Sequence, residues 1–273
     1  MIEGLDHVAL AVGDLEGAAG AWQGLVGRPP DRREEAAGAR HAWFQFSNAA
    51  LDIVAAQGKG EAGDRVRAQI AERGEGIWGL ALAVEDLGRA RALFERRGLA
   101  SGEPADFLST TRKLAVLDPA ATGGLFLALA ERRGPAPAAP RAGADAVSGI
   151  DHVVAASRSP DRAAALWGAR LGLDLRLDRS NEAWGSRLMF FRLGDLVLEV
   201  ATPLKRDETT GGADDRDRYT GFALRVGDVE AAQARLCAGG FAISKVRAGR
   251  KPGTRVATVR SGVPGAPVLL IGP

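Results

Sequence analysis

Four segments of the chain open alike, at intervals of about 70 residues, and this repeat limits the fold more than any other feature. The segments read GLDHVALAVGDLEGA from Gly4, WGLALAVEDLGRA from Trp78, GIDHVVAASRSPDRA from Gly149 and TGFALRVGDVEAA from Thr220. Similarity at a fixed period indicates a structure assembled from one supersecondary unit that is used several times. We therefore expect four copies of the same unit.

Each copy predicts the same order of elements. The opening alternates apolar residues with small or polar ones, as a half-buried strand does. Side chains that can accept hydrogen bonds from the first turn of a helix follow each opening, namely Asp14, Asp86, Ser159 and Asp228. The helices should end near glycines that tolerate a left-handed backbone, namely Gly27, Gly98, Gly172 and Gly239. About three strands should follow each helix, so the unit is β-α-β-β-β and the fold class is α+β.

A stretch rich in Pro, Ala and Gly divides the four units into two pairs. Its lack of an apolar period is typical of a linker. A second polar stretch, 205–218, is predicted as a loop between the third and fourth units. The predicted boundaries are an N-terminal domain over 1–131 with modules 4–57 and 77–131, a linker over 132–148, and a C-terminal domain over 149–273 with modules 149–203 and 219–272.

Charge balance and cysteine content exclude several classes of partner. With 36 Lys+Arg against 34 Asp+Glu, the formal net charge of +2 gives no field that attracts nucleic acid or an anionic membrane. The single cysteine, Cys237, excludes an internal disulfide framework. No apolar run approaches the roughly 18 residues of a membrane span, and the first residues lack the features of a signal peptide. We expect a cytoplasmic protein, monomeric or homodimeric, without nucleic-acid or membrane partners.

Strand alternation places a histidine and a carboxylate together in the third unit. If Gly194 and Asp195 form a two-residue turn, Phe190 lies opposite Glu199. Both side chains then point away from the core, to the same side of the sheet as His152 in the opening strand. The aromatic ring, the imidazole and the carboxylate should therefore share one face.

The first unit repeats this arrangement, whereas the second and fourth do not. His7 and Asp52 take the histidine and carboxylate positions of the first unit, with His41 and Trp43 on the same side. In the even-numbered units glycines replace the histidine and leucines replace the carboxylate, namely Gly79 and Leu127 in the second and Gly221 and Leu270 in the fourth. The small residues should leave room for a ligand.

The repeated unit, with its DHVALAV and DHVV openings and a closing strand that reads LVLEV, resembles the module of the vicinal oxygen chelate superfamily. That superfamily includes glyoxalases, bleomycin-resistance proteins, extradiol dioxygenases and methylmalonyl-CoA epimerases. The resemblance covers nearly the whole chain. It implies four βαβββ modules paired into two glyoxalase-like domains, each a curved mixed sheet that forms a cup with the helices outside.

In enzymes of this superfamily a divalent metal is held in the cup by one residue from the first strand and one from the last strand of each module. Carried over to this chain, the resemblance implies His152 and Glu199 as catalytic and metal-binding residues, with His7 and Asp52 as a weaker second pair. The metal would be Zn, Ni, Mn, Fe or Mg. The ligand set is incomplete, because a catalytic site generally uses about three protein ligands and the even-numbered modules supply none.

The pairing of the modules decides how many metal-binding side chains come together in one cup. The usual arrangement pairs the first module with the second and the third with the fourth, which leaves two ligands in each cup. Pairing the first module with the third would instead gather four. His41 is a further candidate for a third ligand in the first cup.

Other side chains on the C-terminal cup are candidates for contact with a substrate. Trp184 and Phe190 could wall an apolar pocket, and Gly221 leaves space beside them. Arg192 and Arg225 could bind a carboxylate or a phosphate, because a guanidinium offers two parallel donors to such groups.

Two functions from different classes follow from the resemblance. In the first, a glyoxalase-like enzyme uses a metal at His152 and Glu199 to polarise the vicinal oxygens of a small organic molecule. In the second, a metal-free protein of the bleomycin-resistance type sequesters an apolar or aromatic compound in the C-terminal cup. A histidine beside a carboxylate could also act as a general base without metal. An extradiol dioxygenase is disfavoured, because its triad of two histidines and one carboxylate needs a histidine near Gly221.

Overall fold

The structure, a computed structural model, describes residues 1–108, 111–134, 142–205 and 215–273, and for Trp184 the backbone alone. The middle of the predicted linker 132–148 and most of the predicted loop 205–218 lie outside the described residues. None of the helices in the described ranges has the length and apolar content that crossing a bilayer requires.

Each module contains an opening strand, a helix and further strands. The first module consists of β1 (Ile2–Ala11), α1 (Leu15–Val26), β2 (Arg32–Ala36), β3 (Ala39–Gln45) and β4 (Ala50–Ala56). An additional helix, α2 (Glu61–Arg73), precedes the second module. The second module consists of β5 (Gly76–Val84), α3 (Leu87–Arg96), β6 (Ala105–Phe107), β7 (Arg112–Val116) and β8 (Phe126–Arg132).

The third and fourth modules follow the same order. The third consists of β9 (Val147–Ala156), α4 (Pro160–Ala164) with a π-helical continuation over Ala165–Arg170, β10 (Asp174–Asn181), β11 (Ser186–Leu193) and β12 (Leu196–Pro203). The fourth consists of β13 (Arg218–Val226), α5 (Val229–Ala238), β14 (Ala242–Ile243), β15 (Arg247–Ala248), β16 (Arg255–Ser261) and β17 (Val268–Gly272). The predicted α+β class with four βαβββ modules is confirmed.

The strands of the described residues form two mixed sheets. One has the order β2-β3-β4-β1-β5-β8-β7-β6, and the other β10-β11-β12-β9-β13-β17-β16-β14, with β15 paired to β16. In both, the opening strand of a module runs parallel to its last strand, as β1 does to β4 and β9 to β12. The remaining strands of each module pair antiparallel on the far side of its last strand. The opening strand and the last strand of a module are therefore neighbours in the sheet although they are distant in sequence.

Helix ends largely follow the capping residues that the sequence predicts. Asp14, Asp86 and Asp228 each accept a hydrogen bond from a backbone amide in the first turn of their helices. The side-chain cap expected from Ser159 is not formed, although Ser159 directly precedes helix α4. The left-handed backbone expected at Gly27 is present, with φ of 87°. Helix α5 ends at Ala238, directly before Gly239 as predicted, but the left-handed conformation expected there was wrong: φ of Gly239 is −80°, and the left-handed residue is the following glycine, Gly240.

Helix α2 covers one end of the first module's sheet and was not predicted. Val66 of α2 is buried against Ala11, Ala39 and Val54, one from each of three strands. Gly63 lies so close to the β2–β3 turn that a Cβ there would be 2.0 Å from the carbonyl oxygen of Gly38. The absence of a side chain at Gly63 is therefore what allows α2 to lie against this turn.

The chain divides into two compact units, each assembled from separate segments. Unit 1 comprises Met1–Asp6, Gly79–Gly134 and His152–Thr220. Within it, the buried carboxylate of Asp6 accepts hydrogen bonds from Arg112 Nε at 2.6 Å and from Arg132 Nη2 at 2.8 Å. Arg170 donates to main-chain carbonyls that include that of Ala121, at 2.8 Å.

Unit 2 comprises His7–Trp78, Pro135–Asp151 and Gly221–Pro273. Trp22 of α1 is fully buried here and stacks on Phe222, with ring centroids 5.6 Å apart. Its indole Nε1 donates to the carbonyl of Pro264 at 3.2 Å, so the ring is held both by apolar contact and by a hydrogen bond. The predicted division into domains over 1–131 and 149–273 stays a prediction.

Strand β10 forms one edge of its sheet. Its pairing with β11 is interrupted by a register shift between Leu175 and Leu177. Because of the shift, Leu175 pairs with Phe191 on the core side and Leu177 with Phe190 on the other side. Both leucines are large apolar side chains that remain exposed, at 46% and 50%.

Candidate functional site

The hairpin of the third module has the predicted register. Leu193 pairs with Leu196, and Phe190 pairs with Glu199. On the neighbouring strand, His152 pairs with Val197, which places the imidazole two residues along from the carboxylate. His152, Leu177, Phe190, Arg192, Val197 and Glu199 lie on one face of this hairpin and its neighbours, which we call the third-module face.

On this face the histidine and the carboxylate are close and partly open to solvent. Nε2 of His152 is 4.0 Å from Oε2 of Glu199, and the two side chains are 20% and 18% exposed. A separation of 4.0 Å is longer than a hydrogen bond. A small polar atom of a ligand could therefore bridge them. Phe190 is half-buried beside Glu199, and Leu177 beside Phe190 adds apolar surface.

The other predicted substrate contacts are distributed differently. Arg192 is exposed, and its Nε donates to the carbonyl of Gly194 at 3.1 Å, in the hairpin turn. Arg225, in unit 2, has its Nε 3.4 Å from Oδ1 of Asp151. A Cβ at Gly221 would be 2.9 Å from the carbonyl oxygen of Pro267, so this glycine accommodates neighbouring backbone. Trp184 lies in a 3-10 turn, and its side chain is outside the described residues.

The first module places its histidines and carboxylate in a more buried setting. Nδ1 of His41 is 3.0 and 2.9 Å from the two carboxylate oxygens of Asp52, and both side chains are buried. Burial favours the neutral imidazole and would lower the pKa of His41, but the charge and hydrogen bond of Asp52 outweigh it and raise this pKa above its ordinary value. Asp52 therefore holds His41 in a fixed orientation and favours its protonated form.

Aromatic and cationic side chains continue this face of the first module. The rings of His7 and Trp43 are 5.0 Å apart and tilted. The guanidinium carbon of Arg32 lies 4.6 Å above the Trp43 ring, a cation–π contact. The sequence indicated His7, His41, Trp43 and Asp52, but Arg32 was missed. Its strand, β2, reads RREEA and has almost no apolar residue by which a strand is recognised.

In the even-numbered modules the predicted equivalents of the carboxylate were wrong by one residue. In the odd modules the carboxylate pairs with the second residue after the histidine, as Asp52 does with Ala9. The matching pairs are Ala81 with Ala128 in the second module and Ala223 with Leu269 in the fourth. Leu127 and Leu270 lie on the opposite side of their strands and are fully buried.

The aspartate of each DH dipeptide has a partner that the sequence did not indicate. Asp6 is bound by Arg112 and Arg132 within unit 1. Asp151 pairs with Arg225 within unit 2. The histidine of the dipeptide thus lies on the candidate site, whereas the aspartate forms ion pairs with arginines of an even-numbered module.

The donor set does not fit a resident catalytic metal. No group of three or more His, Cys, Asp or Glu side chains in the described parts of the chain could hold a metal ion. His152 and Glu199 are two donors where about three are usual, and both oxygens of Asp52 are already directed at His41.

Comparison with known proteins places these features in a wider group. The family described as "Glyoxalase/Bleomycin resistance protein/Dioxygenase superfamily" matches residues 6–107 and 151–258. A mutant of 4-hydroxymandelate synthase from Streptomyces coelicolor has a similar structure, with a TM-score of 0.73 and 17% identity over 100% of this chain and 93% of that one. A Mn(II)-bound glyoxalase from Novosphingobium aromaticivorans gives a TM-score of 0.70 and 15% identity over 99% and 82%. No curated protein sequence matches the chain.

Proposed function

Because the chain belongs to the glyoxalase/bleomycin resistance protein/dioxygenase superfamily, we propose that it binds a small oxygenated organic molecule on the third-module face without a resident metal. The observation that carries the proposal is the partly open pair of His152 and Glu199 beside the apolar side chains of Leu177 and Phe190. Small-molecule sites typically combine an apolar wall with a few convergent polar groups.

The residues of this face recognise two parts of such a ligand. The ring of Phe190 offers a surface on which an aromatic or other apolar body can lie, and Leu177 extends that surface toward the edge of the sheet. An imidazole can donate from one nitrogen and accept at the other, whereas an ionised carboxylate only accepts. A hydroxyl or enol oxygen between His152 and Glu199 would therefore be bound from both sides.

The same pair supports a second candidate function, an enzyme that moves a proton. Glu199 lies 4.0 Å from the imidazole of His152, so two of the side-chain types that transfer protons in enzymes lie next to each other on this face. An isomerase or lyase acting beside a carbonyl group would use His152 as the base. A metal-dependent version would require an additional ligand, which a substrate would have to supply.

Binding can be tested with phenylpyruvate and catechol as probes. Calorimetry in the presence of EDTA measures the affinity of each probe. We expect the better probe to bind about tenfold more weakly to Leu177→Ser, because the substitution removes apolar contact next to Phe190. Leu175→Ser is the matched control, since Leu175 is equally exposed on the same strand but pairs on the core side. Equal weakening by both variants, or binding by neither probe without added metal, would overturn the proposal.

A further inference from the structure

The first module carries a second group of chemically active side chains, arranged in rows across its strands. Arg32 pairs with Trp43, Trp43 with Asp52, and Asp52 with Ala9. Because paired residues in neighbouring strands point to the same side, these side chains share one face. We call it the first-module face; His41, one row along, belongs to it as well.

Arg32 presents two unsatisfied donors. Its Nη1 is 3.1 Å from Oε1 of Glu34. Its Nε and Nη2 are buried atoms that have no hydrogen-bond partner among the described residues. Buried donors without acceptors are costly, so folded proteins normally satisfy them with protein, water or a ligand.

The two donors lie on the same edge of the guanidinium. Nε–H and one N–H of Nη2 point in parallel and match the two oxygens of a carboxylate, which such an edge binds with charge-assisted hydrogen bonds. The guanidinium carbon lies 4.6 Å from the centroid of the Trp43 ring, and this cation–π contact restricts where the guanidinium can move.

The rest of the face carries several buried polar side chains, which are uncommon in a protein core. His7, His41, Gln45 and Asp52 are all buried on it. Asp52 is directed at His41, and Nε and Nη2 of Arg32 are the donors of this face that lack an acceptor within the described ranges. The ring of His7 lies 5.0 Å from that of Trp43, so the two buried rings are in contact with each other. Val66 of α2 closes the other end of the face.

We propose that the first-module face is a second ligand site, in which the Nε–Nη2 edge of Arg32 binds the carboxylate of a small organic acid. The organic part of the ligand lies toward Trp43 and His7. The site is formed by other residues than the third-module face, and the proposal does not depend on the proposed function. A carboxylate fits better than a metal ion, because the unsatisfied atoms are donors.

The test uses benzoate as the probe and the full-length protein. Side-chain Nε–H signals of arginine are recorded by NMR during a benzoate titration, and the signal of Arg32 is identified as the one that Arg32→Lys removes. We expect that signal to shift saturably. By calorimetry, Arg32→Lys should bind benzoate about tenfold more weakly, because lysine keeps the charge but loses the paired donors. Arg33→Lys is the matched control, since Arg33 is the next residue of β2 and pairs with Glu16 instead.

Three outcomes would overturn the proposal. The first is a signal of Arg32 that benzoate leaves unmoved, which would mean that water alone satisfies the donors. The second is an equal response to sodium phosphate at the same ionic strength, which would indicate general anion attraction. The third is benzoate binding that survives Arg32→Lys but is lost in Leu177→Ser, which would assign the acid to the third-module face.

Discussion

Both carboxylate oxygens of Asp52 lie within 3.0 Å of Nδ1 of His41, on strands β4 and β3 of the first module. This contact assigns the proton to Nδ1, because a carboxylate can only accept. It also bears on the metal pair of His7 and Asp52 that the family resemblance implies. The carboxylate that would serve the metal is committed to a neighbouring histidine.

The His41–Asp52 contact predicts how stability depends on pH. The folded-state pKa of His41 is raised above 6.5, so the pair contributes stability that is fully present below about pH 6.5 and is lost as the pH rises through the folded-state pKa. We expect the advantage of the wild type over His41→Gln in the free energy of unfolding to shrink across that range. Urea denaturation at a series of pH values measures it, and parallel curves would contradict the assignment.

Asp52→Asn should reverse the sign of this dependence. Without the carboxylate charge, burial, which is the largest single influence on His41, and the charge of Arg32 lower its folded-state pKa, and the charge of Glu34 opposes them only in part. The variant should then gain stability as the pH rises through about 6.5, since the buried imidazole is tolerated only when neutral. The same urea series tests this, and a slope that keeps the wild-type sign would show that another group controls it.

Asp6→Asn should destabilise the protein by about 3 kcal/mol, because it leaves the buried guanidinium of Arg112 without its counter-charge. Glu16→Gln is the control. Glu16 also pairs with two arginines, Arg33 and Arg40, but at the surface, where such pairs contribute about 0–1 kcal/mol. Denaturant unfolding compares the two variants. Similar losses would mean that burial does not distinguish these ion pairs.

Gly63→Ala should destabilise the protein by about 1–3 kcal/mol, since the new Cβ would overlap the carbonyl oxygen of Gly38 and push α2 from the sheet. Gly20→Ala provides the contrast. Gly20 lies in α1, and apart from the backbone of the helix itself and the residues adjacent to Gly20, no atom of the described residues comes within 4 Å of the place that its methyl group would take. Alanine there should stabilise the helix by about 0.5–1 kcal/mol. Thermal unfolding of both variants shows whether each substitution raises or lowers the stability. Unchanged stability of Gly63→Ala would indicate that α2 is not held against the turn.

Metal loading should leave fewer than one ion per chain. After incubation with Mn²⁺, Ni²⁺ or Zn²⁺ and desalting, we expect substoichiometric metal by mass spectrometry, because His152 and Glu199 supply two donors. His152→Ala should retain the same amount. One equivalent of metal that both His152→Ala and Glu199→Ala abolish would show instead that the third-module face is a metal site.

The register of the third module was predictable because its hairpin turn is short. A two-residue turn fixes which residues are opposite, so the pairing of Phe190 with Glu199 follows once the turn at Gly194 is recognised. The second module has no such turn: β7 ends at Val116 and β8 begins at Phe126. A loop of this length leaves the register open, and Leu127 was consequently placed one residue from the true position, Ala128.

The parts of the site that the sequence did not reveal depend on contacts between segments. Strand β2 is charged, so no apolar alternation marks Arg32 as a residue that faces Trp43. Helix α2 buries only Gly63 and Val66, too few positions to show a helical period. The exposed Leu177 was missed because the register shift in β10 changes the side on which it lies. Such features arise from tertiary pairing, which local patterns do not encode.

The irregular pairing of β10 also bears on how concentrated solutions of this protein behave. An exposed sheet edge with apolar side chains is a template on which other chains can add strands and aggregate. A register shift such as the one between Leu175 and Leu177 disrupts the regular ladder of an edge strand, and natural sheets use bulges of this kind against such addition. We therefore expect a variant that regularised β10 to precipitate more readily than the wild type.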